Sequence, residues 1–156
     1  MSDLELHIPF EEFPVAPGAW KTAASITPGT NQIVRPKSIR LYGDGISGNA
    51  KPIKMRFVRL DPGGAAGTAT TITARKSNPD IPIAPRLTAK VLYTDEPDFI
   101  ANSDGSLTAF HPQGGHADNF HLDGLLATPD SPLALQFFAN SGETAIKISG
   151  TIVCEE

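Results

Sequence analysis

Three histidines and an aspartate fall within eleven residues, in His111-Pro-Gln-Gly-Gly-His116-Ala-Asp118-Asn-Phe-His121. These side chains are the usual nitrogen and oxygen ligands of zinc, nickel and iron. Their spacing argues against a metal centre. A step of five from His111 to His116, and again to His121, matches neither one helix face nor alternate positions of a strand. Gly114-Gly115 would have to fold the segment back on itself. The His-x-His strand with a downstream Glu that serves cupin-type jelly rolls is not here. The reading is a structural turn, with His111 and His121 packed at strand ends. Asp95, Glu96, Asp98 and Asp104 would suit a pair of glycosidase carboxylates or a calcium loop. They show no D-x-[DN]-x-[DN]-G pattern and read as a solvated acidic loop. Gly63-Gly64-Ala-Ala-Gly67 lacks the Gly-Lys-Ser/Thr of a phosphate loop and reads as a flexible hairpin tip. Ser47 stands in Gly-Ile-Ser-Gly, not in a Gly-x-Ser-x-Gly elbow. Cys154 directly follows the alternating run 146–153 and reads as an ordinary strand thiol. No catalytic residue, metal or cofactor is expected, and the chain is read as not an enzyme.

The elements that would position these residues are short. Gly and Pro each occur 14 times in 156 residues, so a break falls about every five or six positions. No segment keeps a helical apolar period over three turns, and the fold class is all-β. Strands are predicted over 21–27, 32–42, 52–60, 68–74, 88–94, 107–110, 133–139 and 144–154. Pro36 marks an edge position or a bulge. Along 52–60, Ile53, Met55, Phe57 and Arg59 share one face, while Lys54, Arg56, Val58 and Leu60 share the other. Asn140-Ser141-Gly142 reads as the turn of a hairpin joining the last two strands. About eight strands with several long connections suit a single-domain jelly-roll or Greek-key sandwich over 21–156. Residues 1–20 read as an irregular Pro-rich N-terminal arm, because Pro9, Pro14 and Pro17 break regular structure. The arm carries Phe10, Phe13 and Trp20, which are too apolar for a free tail and are read as oligomer or capsid contacts.

Composition narrows the partners. Net charge is −4 with no Lys/Arg block, so nucleic-acid binding by charge neutralisation is not expected. No run approaches the roughly 18 apolar residues of a membrane-spanning helix. The N-terminus has no secretory pattern, and the single cysteine fits synthesis in a reducing compartment. Charged residues make up 19% of the chain, which suits faces partly covered by neighbours.

The order of motifs is informative in itself. Pro28-Gly-Thr-Asn31 is followed by Arg40-Leu-Tyr42, Gly43-Asp44-Gly45, Met55-Arg-Phe-Val-Arg59 and Pro62-Gly-Gly64. His111-Pro-Gln-Gly114 and a last strand ending Glu155-Glu156 come later. Over nearly its whole length the chain resembles small β-sandwich proteins encoded among the virion genes of tailed bacteriophages. Within that group it is similar to head-decoration and other capsid-associated proteins. The resemblance implies a non-enzymatic trimer or other homo-oligomer. It also implies the major capsid protein as partner, and a place on the capsid surface of the virion after synthesis in the host cytoplasm. It carries over no catalytic residues, and it has no counterpart for the N-terminal arm. A carbohydrate-binding or host-recognition module on a tail or fibre is the alternative; it needs an exposed aromatic platform.

Overall fold

The computed structural model describes residues 4–43, 51–111, 115–119, 125–142 and 146–156. Within them there is no helix. Eleven strands form two antiparallel sheets: β1 (Glu5–Val15), β2 (Trp20–Thr27), β3 (Arg35–Gly43), β4 (Ile53–Arg59), β5 (Thr68–Ile72), β6 (Arg75–Lys76), β7 (Thr88–Asp95), β8 (Gly105–Phe110), β9 (Gly115–Asn119), β10 (Leu133–Phe138) and β11 (Ile146–Glu155). One sheet has the order β6-β1-β11-β3-β9 and the other the order β5-β7-β2-β10-β4-β8. The expected all-β sandwich is therefore what the chain forms.

The pairing is nested. β1 pairs with β11, β2 with β10, β3 with β9 and β4 with β8, each antiparallel. Successive strands of this set alternate between the two sheets, so the chain behaves as one long ribbon folded over on itself. The segment between β4 and β8 adds strands on one side only. β7 and β5 extend one sheet beyond β2, and β6 extends the other beyond β1.

The core lies between the sheets. Phe137 of β10 sits at its centre, with ring centroids 6.1 Å from Phe10, 6.4 Å from Phe13 and 6.1 Å from Phe110. Ile53, Met55 and Phe57 mark the inward face of β4, since all three are buried. Pro36 lies at a register shift between β3 and β11, as a strand proline should.

Residues 4–20 are not an irregular arm. Glu5–Val15 is the longest strand, and Leu6, Ile8, Phe10, Phe13 and Val15 all face the core. Beyond His7 the strand is paired only on its β11 side, so one edge is open and prolines 9 and 14 are tolerated. A bulge between Phe10 and Phe13 puts Glu12 at φ 52° and turns both phenylalanines inward. The amide of Glu12 is satisfied by Ser149 Oγ at 2.9 Å.

Asn140-Ser141-Gly142 does not close a hairpin, because β10 and β11 lie in different sheets and their edges are taken by β2, β4, β1 and β3. The turn residues reverse the chain, but the connection crosses from one sheet to the other. Gly63 to Gly67 is not a hairpin tip either. β4 and β5 stand on opposite sides of β10, β2 and β7 in one sheet, so the intervening loop crosses over that sheet's outer face. It is pinned there by Asp61 N to Asp98 O at 3.0 Å and Ala65 N to Asp98 Oδ2 at 2.9 Å. Asp44, Gly45, Ser47, Gly48 and Asn49 lie outside the described residues.

Candidate interaction surface

Across the outer face of the six-stranded sheet, register places side chains of β2, β10 and β4 in rows. Trp20, Phe138 and Lys54 form one row, and Thr22, Gln136 and Arg56 the next. Alternation makes both rows outward, since Phe137 between them is in the core. Trp20 packs on Phe138 with centroids 5.4 Å apart, and Lys54 Nζ is 5.4 Å from the Phe138 ring. The Arg56 guanidinium stacks on Trp20 at 3.9 Å and lies 5.4 Å from Phe99. This is cation–π geometry on two rings.

Phe99 reaches this site from the loop after β7. A bridge between Leu60 and Phe99, with Ile100 N donating to Arg59 O at 2.8 Å, lays the loop along the end of β4. Phe99 is 42% exposed and Ile100 46% exposed, so the ledge has an apolar rim.

A polar chain holds Arg56 from below. Its Nε donates to Gln136 Oε1 at 3.0 Å. Gln136 Nε2 donates to Thr22 Oγ1 at 3.2 Å, and that hydroxyl donates to Glu96 Oε2 at 2.6 Å. Gln136 is 1% exposed and Thr22 0% exposed. Such groups stay buried only when their hydrogen bonds are made, and each of these donors has an acceptor. β2 carries an extra residue here, since Ala24 faces Leu135 while Thr22 faces Gln136. The Thr22 amide at this bulge is taken up by the Glu96 carboxylate at 3.0 and 3.1 Å. Burial lowers the Arg56 pKa below its ordinary value, and the charge of Asp104 opposes that shift.

Beside this ledge, the crossing loop roofs a cavity of about 180 Å³ lined in part by Ser25, Lys90, Tyr93, Pro62, Pro97 and Pro132. Ser25 Oγ and Tyr93 Oη are hydrogen-bonded at 2.7 Å, and burial raises the Tyr93 pKa. Asp61 and Asp98 aim carboxylate oxygens at the amides of Gly63 and Ala65. The carboxylates thus serve the loop, and the cavity shows no nucleophile paired with a base.

The sequence-based site residues separate. Phe10 and Phe13 are 2% exposed and belong to the chain's own core, which corrects their reading as intermolecular contacts. Trp20 remains on the surface. The acidic loop is solvated as expected, and its exposed Glu96 and Asp98 also accept hydrogen bonds from Thr22 and Ala65. His111 is exposed just after β8 in one sheet, while the backbone of His116 is in β9 of the other, opposite Leu41. The side chains of His116 and Asp118, and the whole of His121, lie outside the described residues. Among the described residues no three His, Cys, Asp or Glu side chains gather to hold a metal. Cys154 faces the core, and burial, followed by the charges of Glu156, Glu155 and Glu5, pushes its thiol up to about 12.

Arg56, Gln136 and Phe99 were not singled out as functional by sequence. The available signal was Gln136, one polar residue inside Leu-Ala-Leu-Gln-Phe-Phe, opposite the polar face of 52–60. Compared with known proteins, the chain matches no family model, no curated protein and no solved structure.

Proposed function

We propose that this chain is a structural virion protein, a decoration subunit that docks on a phage head through the outer face of its six-stranded sheet. The observation that carries the reading is the Trp20–Arg56–Phe99–Phe138 ledge. Tryptophan and arginine, backed by buried hydrogen bonds and rimmed by apolar side chains, are the residues that dominate protein–protein contacts. The nested pairing β1–β11, β2–β10, β3–β9 and β4–β8 supports a jelly-roll order, with β5 to β7 as an insertion. The resemblance of the motif order to that of phage virion sandwiches supports the same function.

Docking on a lattice favours weak contacts repeated by symmetry. A homotrimer would engage several copies of the major capsid protein at once and gain effective concentration. A saccharide platform finds less support, because the guanidinium at 3.9 Å covers a face of Trp20. The test is the heat stability of particles with and without the protein. A partner that binds only the assembled shell stabilises it by mass action. Decorated shells should release their contents at a higher temperature than bare shells. Identical release curves at saturating protein would remove the stabilising role.

A further inference from the structure

The outer-face ledge has one feature that docking alone does not require. Arg56 is fixed in direction as well as in place. Its guanidinium carbon lies over the rings of Trp20 and Phe99, and Gln136 takes its Nε hydrogen. Gln136 is in turn fixed by Thr22 and Glu96. Among the described residues, none accepts a hydrogen bond from the two terminal nitrogens of Arg56. Asp104 lies near enough to act on Arg56 by charge, without a hydrogen bond between them. Lys54 adds a second cation beside Phe138. Glu96, the other acid close by, is taken up by Thr22.

A guanidinium presents its donors as a rigid fork that matches the two oxygens of a carboxylate. Partial withdrawal from water strengthens that pairing and raises the cost of leaving the fork unmade. We infer that the Arg56 fork is a carboxylate receptor, and that its occupant is an Asp or Glu side chain on an acidic surface of the partner protein. This rests on the docking reading above. A protein side chain is favoured over an acidic sugar because Arg56 itself occupies a face of Trp20. The apolar rim of Phe99 and Ile100 is left for neighbouring apolar side chains of the partner.

The single tryptophan is a built-in reporter. The full chain is titrated with hexaglutamate, hexaglutamine, oligogalacturonate and inorganic phosphate, following Trp20 emission. Hexaglutamate should give a saturable change, and hexaglutamine should give none. Arg56→Lys keeps the charge but loses the fork, and should weaken hexaglutamate binding about tenfold or more. An unchanged circular dichroism spectrum and melting temperature confirm that the variant is folded. No saturable change with hexaglutamate, or an equal affinity in Arg56→Lys, overturns the assignment. Tighter binding of oligogalacturonate or phosphate overturns the choice of a protein carboxylate. Binding of the same two proteins to bare heads separates the two levels of the argument. Equal binding of wild type and Arg56→Lys removes the carboxylate receptor and leaves docking in place. Failure of both to bind, with a positive peptide titration, removes head docking and leaves the receptor.

Discussion

Deleting residues 1–18 should abolish folding of the domain. The segment contains β1, which places Leu6, Ile8, Phe10, Phe13 and Val15 in the core, each at most 2% exposed. Burial of one such side chain contributes about 1.5–3 kcal/mol, so the five together contribute about 8–15 kcal/mol. Denatured chains already bury part of this surface, which lowers the figure by roughly 10–40%. What remains still matches the whole stability of a typical domain, about 5–15 kcal/mol. The deletion also strips β11 of a partner along one edge, leaving a long strand open to aggregation. Far-UV circular dichroism and size exclusion of the truncated chain should show an unfolded or aggregated product. Phe13→Ala is the milder version and should lose about 3–5 kcal/mol in urea denaturation. A truncated chain that is soluble, monodisperse and melts within a few degrees of the intact protein would refute the place given to β1.

Other consequences are as direct. Gln136→Leu should destabilise the domain by about 1–3 kcal/mol, because Thr22 and Arg56 each lose a buried partner. Combining it with Thr22→Val should cost less than the two single changes added, measured by a double-mutant cycle in urea. Gly67→Ala should be more damaging than Gly142→Ala, although both glycines have positive φ. A Cβ at Gly67 would come within 2.5 Å of the Asp95 carbonyl, whereas at Gly142 it meets nothing within 4 Å. The expected losses are about 2 kcal/mol or more and about 1 kcal/mol, read from thermal melts. Cys154 should resist thiol reagents in the native protein at pH 8 and react fully in denaturant. Its folded pKa stands above the ordinary 9.0, at about 12, so the unfolded chain loses the proton first. Its contribution to stability is therefore constant below about pH 9 and falls as pH rises from there toward 12. Cys154→Ala should remove that part of the alkaline loss.

The sandwich was legible because turn residues punctuate the chain and because apolar side chains alternate between the breaks. Most of the expected strands are present, and the inward side of β4 needed only the opposing sheet to define it. β1 was the instructive miss. Leu4, Leu6, Ile8 and Phe10 alternate as cleanly as any strand in the chain, but Pro9 and Pro14 masked the pattern. A proline excludes a central ladder position, not a strand with one open edge. The hairpin at 140–142 failed for a different reason. Turn chemistry records that the chain reverses, whereas the choice between pairing and crossing to the facing sheet is made by strands far away in sequence. The interaction ledge was the least legible part. It assembles Trp20, Arg56, Phe99 and Gln136 from four segments, and only tertiary register brings them together. The buried Gln136 was the one local sign, a polar residue whose position inside a core strand called for a partner.

The central claim is that this chain docks on the outside of a phage head through its six-stranded sheet. Cryo-electron microscopy of the virions in which the proposal places it tests this most directly. The account predicts symmetric clusters of sandwich density on the shell, with Trp20, Arg56 and Phe99 turned toward acidic side chains of the major capsid protein. Density confined to the tail, virions without the protein, or shell-bound copies whose six-stranded sheet faces solvent would contradict it.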